Sequence, residues 1–461
     1  MNRQNLRSGR ADIGNVEMSR VLHRTVSYQP ELAVRGEGLL LILADGRHVI
    51  DASGGAAVAC LGHGNRRIAE AIGRQAGKLG YVHTGVFTSA PAEALADLLL
   101  RHEPGGLSHA FFVSSGSEAM ESALKLARQY FLERGEPNRT RFIARHQSYH
   151  GNTLGALSAG GNLARRAPYE PIMADRFSLV SPCFAFHFQR PGETDPQYVA
   201  RLARELDEEF QRVGPDTVAA FCAEPVVGAT AGCVTAVPGY FRAIREVCDR
   251  YGALLILDEV MCGNGRTGTM HAWEQEGITP DIQAVGKGLG GGYQAIAGIL
   301  ISRRIVDALA AGTGAFVHGH TYQAHPVACA AALEVQRVIL ENDLLANVRK
   351  QGLLLEKLLR ERFSTHPHIG DIRGRGLFFA IEFLQDRERK RPFESSLKLH
   401  ERIKDHALSV GLGLYPSGGT IDGRVGDHAL IAPPYISQAG DIEAIVDRLD
   451  TAVNSMCREL T

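Results

Sequence analysis

The sequence lacks long hydrophobic runs and has no excess of charge of either sign. Its longest apolar runs, residues 39–44 and 253–257, have the length of buried strands, whereas a helix that crosses a bilayer needs roughly 20 apolar residues. Residues 1–20 contain no apolar core of a secretory signal. Fifty basic and fifty-one acidic side chains give a formal net charge of −1, which argues against nucleic-acid binding. We therefore expect a cytoplasmic protein with neither a membrane nor a nucleic acid as its partner.

Cysteine pairs with C-x-x-C spacing are also missing. The eight cysteines lie at positions 60, 183, 222, 233, 248, 262, 329 and 457, so neither a zinc ribbon nor a thioredoxin-type site is predicted. A chain of 461 residues can bury a large core without disulfide bonds. We interpret the cysteines as reduced, mostly buried side chains, and we expect no bound metal.

The hydrophobic pattern changes along the chain and divides it into three parts. Between residues 67 and 340, short strand-like runs alternate with amphipathic helical stretches, which is typical of a mostly parallel sheet covered by helices on both faces. Residues 341–461 combine helical stretches with two strand-like runs and indicate a smaller α+β domain. Residues 1–66 contain strand-like runs around a turn, and we expect them to pack with that smaller domain.

A serine-rich turn, Ser114-Ser115-Gly116-Ser117-Glu118, follows a strand-like run and precedes a helical pattern. Ser115 and Glu118 have the spacing of a capping box, which would only begin the helix. The same helix N-terminus could instead bind an anion, because its free N–H groups and its dipole point toward the ligand. Gly116 would let a phosphate approach the backbone, and Ser117 would add a hydroxyl donor. The motif alone leaves both interpretations open.

A second motif is the apolar run 254–257, which ends in Asp258. This acid would stand at the carboxyl edge of the sheet, where open α/β sheets bind ligands. A nucleotide hydrolase could use the carboxylate to hold magnesium, a cofactor enzyme could pair it with a protonated ring nitrogen, and a simple helix cap would need neither. The hydrolase is disfavoured, because neither Gly-Lys pair, at 77–78 and 286–287, has the other residues of a G-x-x-x-x-G-K-[ST] loop.

Lys287 lies within the glycine-rich residues 286–292, directly after the strand-like run 282–285. A flexible loop with an incidental lysine would explain the pattern. A lysine that alternates between a covalent imine and a free base explains it better, since a glycine-lined backbone leaves room for a planar adduct. With the serine-rich turn and Asp258, this lysine completes what pyridoxal 5'-phosphate requires: an anion site, a carboxylate for the pyridine nitrogen and an amine for the aldehyde.

With these motifs the chain resembles the class III, or omega-, aminotransferases, a family of fold-type I enzymes that depend on pyridoxal phosphate. The most specific stretch is residues 257–268, Leu-Asp-Glu-Val-Met-Cys-Gly-Asn-Gly-Arg-Thr-Gly, followed by Gly-Lys-Gly at 286–288. The resemblance implies a large α/β domain with a mostly parallel sheet of the seven-stranded type, and a smaller α+β domain built from the N- and C-terminal segments. It also implies a homodimeric aminotransferase that moves an amino group from an omega-amino acid or a primary amine to a 2-oxo acid such as pyruvate, by ping-pong chemistry through a Lys287 Schiff base.

The resemblance further implies roles for individual residues, matched motif by motif. Lys287 would form the internal aldimine, and Asp258 would keep the pyridine nitrogen protonated. Val260 and Tyr149 would pack on opposite faces of the ring. The remaining cofactor-binding residues are Ser115, Gly116 and Ser117 around the phosphate, His150 and Glu224 beside the cofactor, and Thr321, which would reach the phosphate bound by the partner subunit.

In its substrate-binding residues the sequence departs from some members of this family. Asn152 follows Gly151, where members acting on ornithine-like or γ-amino acids often carry arginine, so those substrates are disfavoured. Arg424 precedes a Gly-Asp pair and is the candidate for binding the carboxylate of the 2-oxo acid. The small residues 54–59 predict a roomy pocket. An aminomutase or a decarboxylase on the same site, and a nucleotide-binding or non-catalytic module, remain as alternatives.

Overall fold

The computed structural model describes residues 19–26 and 28–460. Most of residues 1–20, for which no secretory signal is expected, therefore lies outside the described residues. Within the described chain, no helix combines the length and the apolar character that crossing a membrane requires. The described chain forms one seven-stranded sheet, two four-stranded sheets and one small hairpin, Val226–Val227 with Val234–Thr235.

The seven-stranded sheet is the centre of the large domain. Its strands, from one edge to the other, are Leu107–Val113, Ala297–Ser302, Ile282–Val285, Leu254–Asp258, Val218–Ala223, Arg141–Arg145 and Phe177–Val180. Ala297–Ser302 is antiparallel to both of its neighbours, whereas the other strands run in one direction. The mostly parallel sheet predicted from the sequence is thus confirmed.

Both faces of this sheet are buried, as its central strand shows. Leu255 and Leu257 belong to one hydrophobic cluster, and Leu254 and Ile256 belong to another on the opposite face. This division arises because successive side chains of a strand point to opposite sides. A strand with helices on both of its faces is apolar along its whole length, which explains the continuous run in the sequence.

Helices occur along the whole described chain. The α-helices before residue 343 are Gly54–Ala57, Arg66–Lys78, Ala90–Leu99, Gly116–Glu133, Leu154–Ala159, Leu163–Arg166, Ala185–Phe188, Asp195–Val213, Tyr240–Arg250, Arg303–Ala311 and Pro326–Glu341. Those after it are Leu344–Phe363, Leu399–Ser409 and Ala439–Arg458. The 3-10 helices are Pro104–Gly106, Glu170–Ile172, Pro215–Thr217, Ala272–Glu276, Lys287–Leu289 and Ser395–Leu397.

The two four-stranded sheets lie outside the large sheet. One contains Ala33–Glu37, Leu40–Leu43, His48–Asp51 and Leu412–Gly413, and the other contains Ile369–Gly374, Phe379–Phe383, Asp427–Ile431 and Tyr415–Gly418. In the first of them Leu412 lies beside Ile50 in a parallel pair. The N- and C-terminal segments therefore share one sheet, as expected for a smaller domain built from both. The domain boundaries after residues 66 and 340 stay a prediction.

Candidate active site

A cavity of about 290 Å³ opens at the carboxyl ends of the parallel strands. Most of its wall segments directly follow a strand, so the sheet brings together residues that are far apart in the sequence. The predicted site residues that line the cavity are Ser115, Gly116, Ser117, Tyr149, His150, Glu224, Asp258, Val260 and Lys287.

The helix Gly116–Glu133 begins at this cavity, with Ser115 as its N-cap. The Ser115 hydroxyl accepts a hydrogen bond from the N–H of Glu118 at 3.2 Å. The Glu118 carboxylate accepts from the N–H of Ser114 at 2.7 Å and not from the N–H of Ser115, the cap residue. Only one of the two hydrogen bonds of the predicted capping box is therefore formed. The first N–H groups of a helix have no partner within it, and together with the dipole they favour an anion at this position.

Gly116 is required at the start of this helix by the close approach of Val260. A Cβ atom on residue 116 would lie 2.9 Å from Val260 Cγ1, a separation too short for two side-chain carbons. The Ser117 hydroxyl accepts from the N–H of Asn152 at 3.0 Å, and a Cβ on Gly151 would stand 2.7 Å from that hydroxyl oxygen. The missing side chains thus let Val260 and Ser117 pack closely at the helix N-terminus, where these two residues and the two glycines line the cavity.

Asp258 ends the central strand and faces the cavity. One carboxylate oxygen lies 2.9 Å from His150 Nδ1, and the other accepts from the N–H of Val260 at 3.1 Å. The His150 side chain is fully buried, and within the described residues its Nε2 has no hydrogen-bond partner. The carboxylate keeps spare acceptor positions, so it can also bind a protonated ring nitrogen placed in the cavity.

Glu224 follows the strand Val218–Ala223 and is buried beneath two loops of the cavity wall. Its carboxylate accepts from the N–H groups of Tyr149 at 3.1 Å and Gly228 at 3.0 Å. Burial raises the pKa of this carboxyl, and the negative charge of Asp258 adds to the shift, whereas the hydrogen bonds from Gly228 and Tyr149 oppose it. These hydrogen bonds give Glu224 a positioning function for Tyr149, while its place on the substrate side stays a prediction.

Lys287 follows the strand Ile282–Val285 and begins a single 3-10 turn, Lys287–Leu289. Its φ of +45° lies in the left-handed region, which costs a non-glycine residue on the order of 1–3 kcal/mol. Burial lowers the pKa of the Lys287 amine, and the negative charges of Asp258 and Glu224 oppose this shift. The amine is therefore closer to its neutral, nucleophilic form than an exposed lysine is.

Two of the glycines that follow Lys287, Gly288 and Gly290, serve packing, which differs from the role predicted for them. A Cβ on Gly290 would lie 2.6 Å from Ile296 Cγ2, and a Cβ on Gly288 would lie 3.3 Å from the hydroxyl oxygen of Tyr435. The turn after the lysine therefore packs tightly against the core, and the extra space expected for a planar adduct is not provided by these two glycines.

Arg165 is a neighbour of the site that no sequence motif reveals. Its guanidinium carbon lies 4.6 Å from the centroid of the Tyr149 ring, in a cation–π contact. Burial raises the pKa of Tyr149, and the positive charge of Arg165 acts in the opposite direction. The short helix Leu163–Arg166 brings this arginine to the tyrosine, so the contact depends on the path of the chain in the fold.

Two predicted site residues lie outside the cavity. Thr321 is exposed in a turn and takes no part in the site of its own chain. Arg424 is exposed in the loop between Tyr415–Gly418 and Asp427–Ile431, where it lines a second cavity. From the small residues 54–59, Val58 lines the first cavity.

The sequence matches one protein family over nearly its whole length. Residues 23–453 fit the family model described as aminotransferase class-III. The chain belongs to this family. An uncharacterized aminotransferase of Schizosaccharomyces pombe is 48% identical to it over 435 residues, covering 94% of this chain and 95% of the relative.

Solved omega-transaminases are similar to this class III aminotransferase in structure. That of Thermomicrobium roseum, described as (S)-enantioselective, has a TM-score of 0.89 and 34% identity, covering 95% of this chain and 96% of its own. That of Pseudomonas jessenii in complex with PMP has a TM-score of 0.87 and 32% identity, covering 93% of each chain.

These similarities confirm the predicted fold-type I architecture and the predicted aminotransferase activity. The alternative of a nucleotide-binding or non-catalytic module is thereby excluded. Class III aminotransferases depend on pyridoxal phosphate, act on small-molecule substrates and are typically dimeric.

Proposed function

We propose that this aminotransferase binds pyridoxal 5'-phosphate at Lys287 and transfers an amino group from an omega-amino acid or a primary amine to a 2-oxo acid such as pyruvate. One observation carries the proposal. A single cavity presents a lysine with a lowered pKa, the carboxylate at the end of the central strand and a helix N-terminus. These groups suit the aldehyde, the ring nitrogen and the phosphate of the cofactor.

The cofactor would be held from several sides by residues of the cavity wall. Ser115, Gly116 and Ser117, at the start of the helix, would bind its phosphate. Val260 and Tyr149 would cover the two faces of its ring, and apolar and aromatic contacts of this kind bind a ring without reacting with it. When bound, pyridoxal phosphate supplies an electron sink for the bonds that break at the substrate carbon.

Asp258 and Lys287 would carry the proton chemistry. The Asp258 carboxylate, oriented by His150 Nδ1, would accept a hydrogen bond from the protonated ring nitrogen and stabilise its positive charge. Nζ of Lys287 would act as a general base that takes a proton from the substrate carbon and later returns one. The lowered pKa of this amine increases the share of its neutral form, which is the form that can take up a proton.

A homodimer in which Thr321 contributes to the partner's phosphate site is part of the same proposal. Large apolar side chains in and near the turn of Thr321 are exposed, with Val317 at 81% and Tyr322 at 59%. The Tyr322 ring lies against Tyr81, with 6.0 Å between centroids, and Phe87 is 62% exposed. A second copy of the chain that covers this surface would gain about 25 cal/mol for each Å² of apolar area removed from water.

A cytoplasmic location also belongs to the proposal. All eight cysteine thiols are free, and seven of them are buried, which agrees with a reducing compartment. Cell fractionation with an antibody against the native protein tests it.

The experiment that tests the proposed activity separates the two half-reactions. The enzyme loaded with pyridoxal phosphate receives one omega-amino acid or primary amine at a time, and the absorbance of the cofactor is followed. Pyruvate or 2-oxoglutarate is then added, and the amino acid formed is identified. We expect a donor-dependent absorbance change that pyruvate reverses with release of alanine. A donor that loses CO₂, or that retains its nitrogen at a new position, would contradict the proposal and favour a decarboxylase or an aminomutase.

A further inference from the structure

We propose that Asn264 and Gln336 are positioning residues for Lys287, which hold the backbone of this lysine in its left-handed conformation and so keep its amine in the cavity. This inference rests on the proposed function, because it names residues that serve the same lysine. In the described chain neither side chain lines the cavity. Asn264 is 3% exposed and Gln336 is fully buried, so both act through the main chain of the turn Lys287–Leu289.

The left-handed backbone of Lys287 depends on support from its surroundings. A non-glycine residue keeps a positive φ only where neighbouring contacts outweigh the strain. Relaxation of φ to an ordinary negative value would turn the Cα–Cβ bond, and with it the whole side chain, away from its present direction. The position of the amine in the cavity therefore depends on the contacts that hold the main chain of residues 286–289.

Asn264 holds the residue before the lysine. Its Nδ2 donates to the carbonyl oxygen of Gly286 at 3.1 Å, and this oxygen also accepts from the N–H of Leu289 at 2.9 Å. Asn264 itself has a φ of +51°, which asparagine tolerates better than most side chains do. Its own carbonyl oxygen accepts from the hydroxyl of the fully buried Tyr435 at 3.0 Å. The tyrosine thus fixes the asparagine, and the asparagine fixes Gly286.

Gln336 holds the residues after the lysine. It belongs to the helix Pro326–Glu341, and its Nε2 donates to the carbonyl oxygens of Gly288 at 3.1 Å and Leu289 at 3.0 Å. In the described part of the chain no group donates to its Oε1. A buried amide oxygen without a partner is unfavourable, so apolar packing does not explain a glutamine here. The two carbonyl oxygens explain it, because each needs a donor where water is excluded.

With these bonds every carbonyl oxygen from residue 286 to residue 289 is engaged. The remaining one, that of Lys287, accepts from the N–H groups of Gly290 at 3.1 Å and Gly291 at 3.0 Å. The main chain of the turn is thereby fixed, and the side chain of Lys287 is the part that can move. A fixed main chain suits an amine that transfers protons, because a misplacement of about 1 Å can lower a rate about a hundredfold.

The groups around the amine give its position a measurable signature. Burial lowers the pKa of Lys287, and the negative charges of Asp258, which pairs with His150, and of Glu224 oppose the shift. Cys262 also acts on this amine, but burial raises the pKa of its thiol well above the usual range, so the thiol carries no charge. In a relaxed turn the amine would be less buried, and its pKa would lie closer to that of an exposed lysine.

The test measures the pKa of Lys287 in the full chain freed of cofactor, by competitive labelling with trace acetic anhydride and peptide mass spectrometry over a range of pH. Gln336→Met keeps the length of the side chain and removes the donor. Asn264→Gly removes the donor and tolerates a positive φ. We expect the labelling midpoint of Lys287 to rise by at least about one pH unit in each variant, which leaves roughly tenfold less neutral amine at neutral pH. The exposed Lys78 serves as the internal reference, and its midpoint should not move.

Two control variants separate positioning from a general loss of stability. Gln351 is also a buried helical glutamine whose Oε1 has no partner in the described chain, and Gln351→Met removes its hydrogen bond of 3.2 Å to Asn347. Asp343 also has a left-handed φ, of +46°, and Asp343→Gly matches the change at the asparagine. Both controls should leave the labelling midpoint of Lys287 at its wild-type value.

The donor half-reaction of the cofactor-loaded enzyme supplies a second readout. In Asn264→Gly and Gln336→Met the limiting rate of the absorbance change should fall at least about tenfold, because the amine is misplaced. The donor concentration that gives half of this rate should stay the same, since neither side chain lines the cavity.

The proposal is overturned if the midpoint of Lys287 and the limiting rate keep their wild-type values in the folded variants, or if the controls change them as much. Asn264→Gly decides alone if Gln336→Met does not fold, because it places no new apolar group against the turn. Failure of the proposed function is recognised separately. The wild type would then show no donor-dependent absorbance change, whereas the labelling requires neither cofactor nor activity.

Discussion

Among single residues, the adjacent acids Asp258 and Glu259 have opposite surroundings. Asp258 faces the cavity and pairs with His150. Glu259 is buried on the other side of the backbone, where its carboxylate accepts from the N–H groups of Ala272 and Trp273, both at 2.7 Å. Successive side chains of an extended segment point to opposite sides, so one acid serves the site and its neighbour holds the following segment in place.

The first prediction at this scale concerns Lys287. We expect Lys287→Ala to lower kcat for alanine formation by at least about a hundredfold, because a general base contributes this much or more. Borohydride treatment should attach the cofactor covalently to the wild type but not to this variant, as read by mass spectrometry. Lys78→Ala is the matched control, since Lys78 also follows a glycine but stands at the exposed end of the helix Arg66–Lys78. Covalent attachment in Lys287→Ala would contradict the assignment.

The second prediction concerns Glu259, whose pKa burial raises from the usual 4.5 to about 8. Because the folded-state pKa lies above the unfolded value, the group's contribution to stability is complete below about pH 4.5 and is lost as the pH rises through about 8. Gln in its place does not titrate. The free energy of unfolding of the wild type should therefore fall relative to Glu259→Gln between these pH values, as measured by chemical denaturation. A difference that does not depend on pH would show that the group does not titrate in this range.

At the scale of elements, the start of the helix Gly116–Glu133 depends on a residue without a side chain. We expect Gly116→Ala to displace Val260 and to weaken cofactor binding roughly tenfold, since overpacking costs about 1–3 kcal/mol. Fluorescence titration of the apoenzyme with pyridoxal phosphate measures this affinity. In Gly73→Ala, a change in an exposed helix where an added Cβ meets nothing within 4 Å, the affinity should stay unchanged and stability should rise by up to about 1 kcal/mol. Equal affinity for pyridoxal phosphate in both variants would show that Val260 can move aside without weakening cofactor binding.

Some elements of the fold and the site can be predicted from the sequence, and others cannot. The central strand, the N-cap at Ser115 and the lysine after Ile282–Val285 have strong local patterns, and the topology then places their ends at one sheet edge. The edge strand Phe177–Val180 is only partly buried, so its hydrophobic pattern is too weak to single it out. The contact between Arg165 and Tyr149 could not be predicted from the sequence for a different reason. It arises from the path of the chain in the fold, and no local motif marks it.

At the scale of the whole molecule, the location of Thr321 allows a test of whether subunits share their sites. We expect Lys287→Ala and Thr321→Ala each to impair the enzyme when alone. If Thr321 serves the partner's site, a mixed dimer of the two variants contains one site with both residues intact. Unfolding and refolding the variants together should therefore restore part of the activity, up to about half of the wild-type value per mixed dimer. No recovery in dimers shown to be mixed would contradict the assignment of Thr321 to the partner's site.

The parallel pair formed by His48–Asp51 and Leu412–Gly413 also constrains how the chain matures during translation. The earlier strand emerges from the ribosome more than 350 residues before its partner. At about 5–20 residues per second, it waits roughly 20 to 70 s with one edge unpaired. Throughout that interval the unpaired edge of the strand is open to pairing with neighbouring chains. The supply of chaperones during synthesis should therefore change the yield of folded enzyme, while the stability of the enzyme once folded should stay the same.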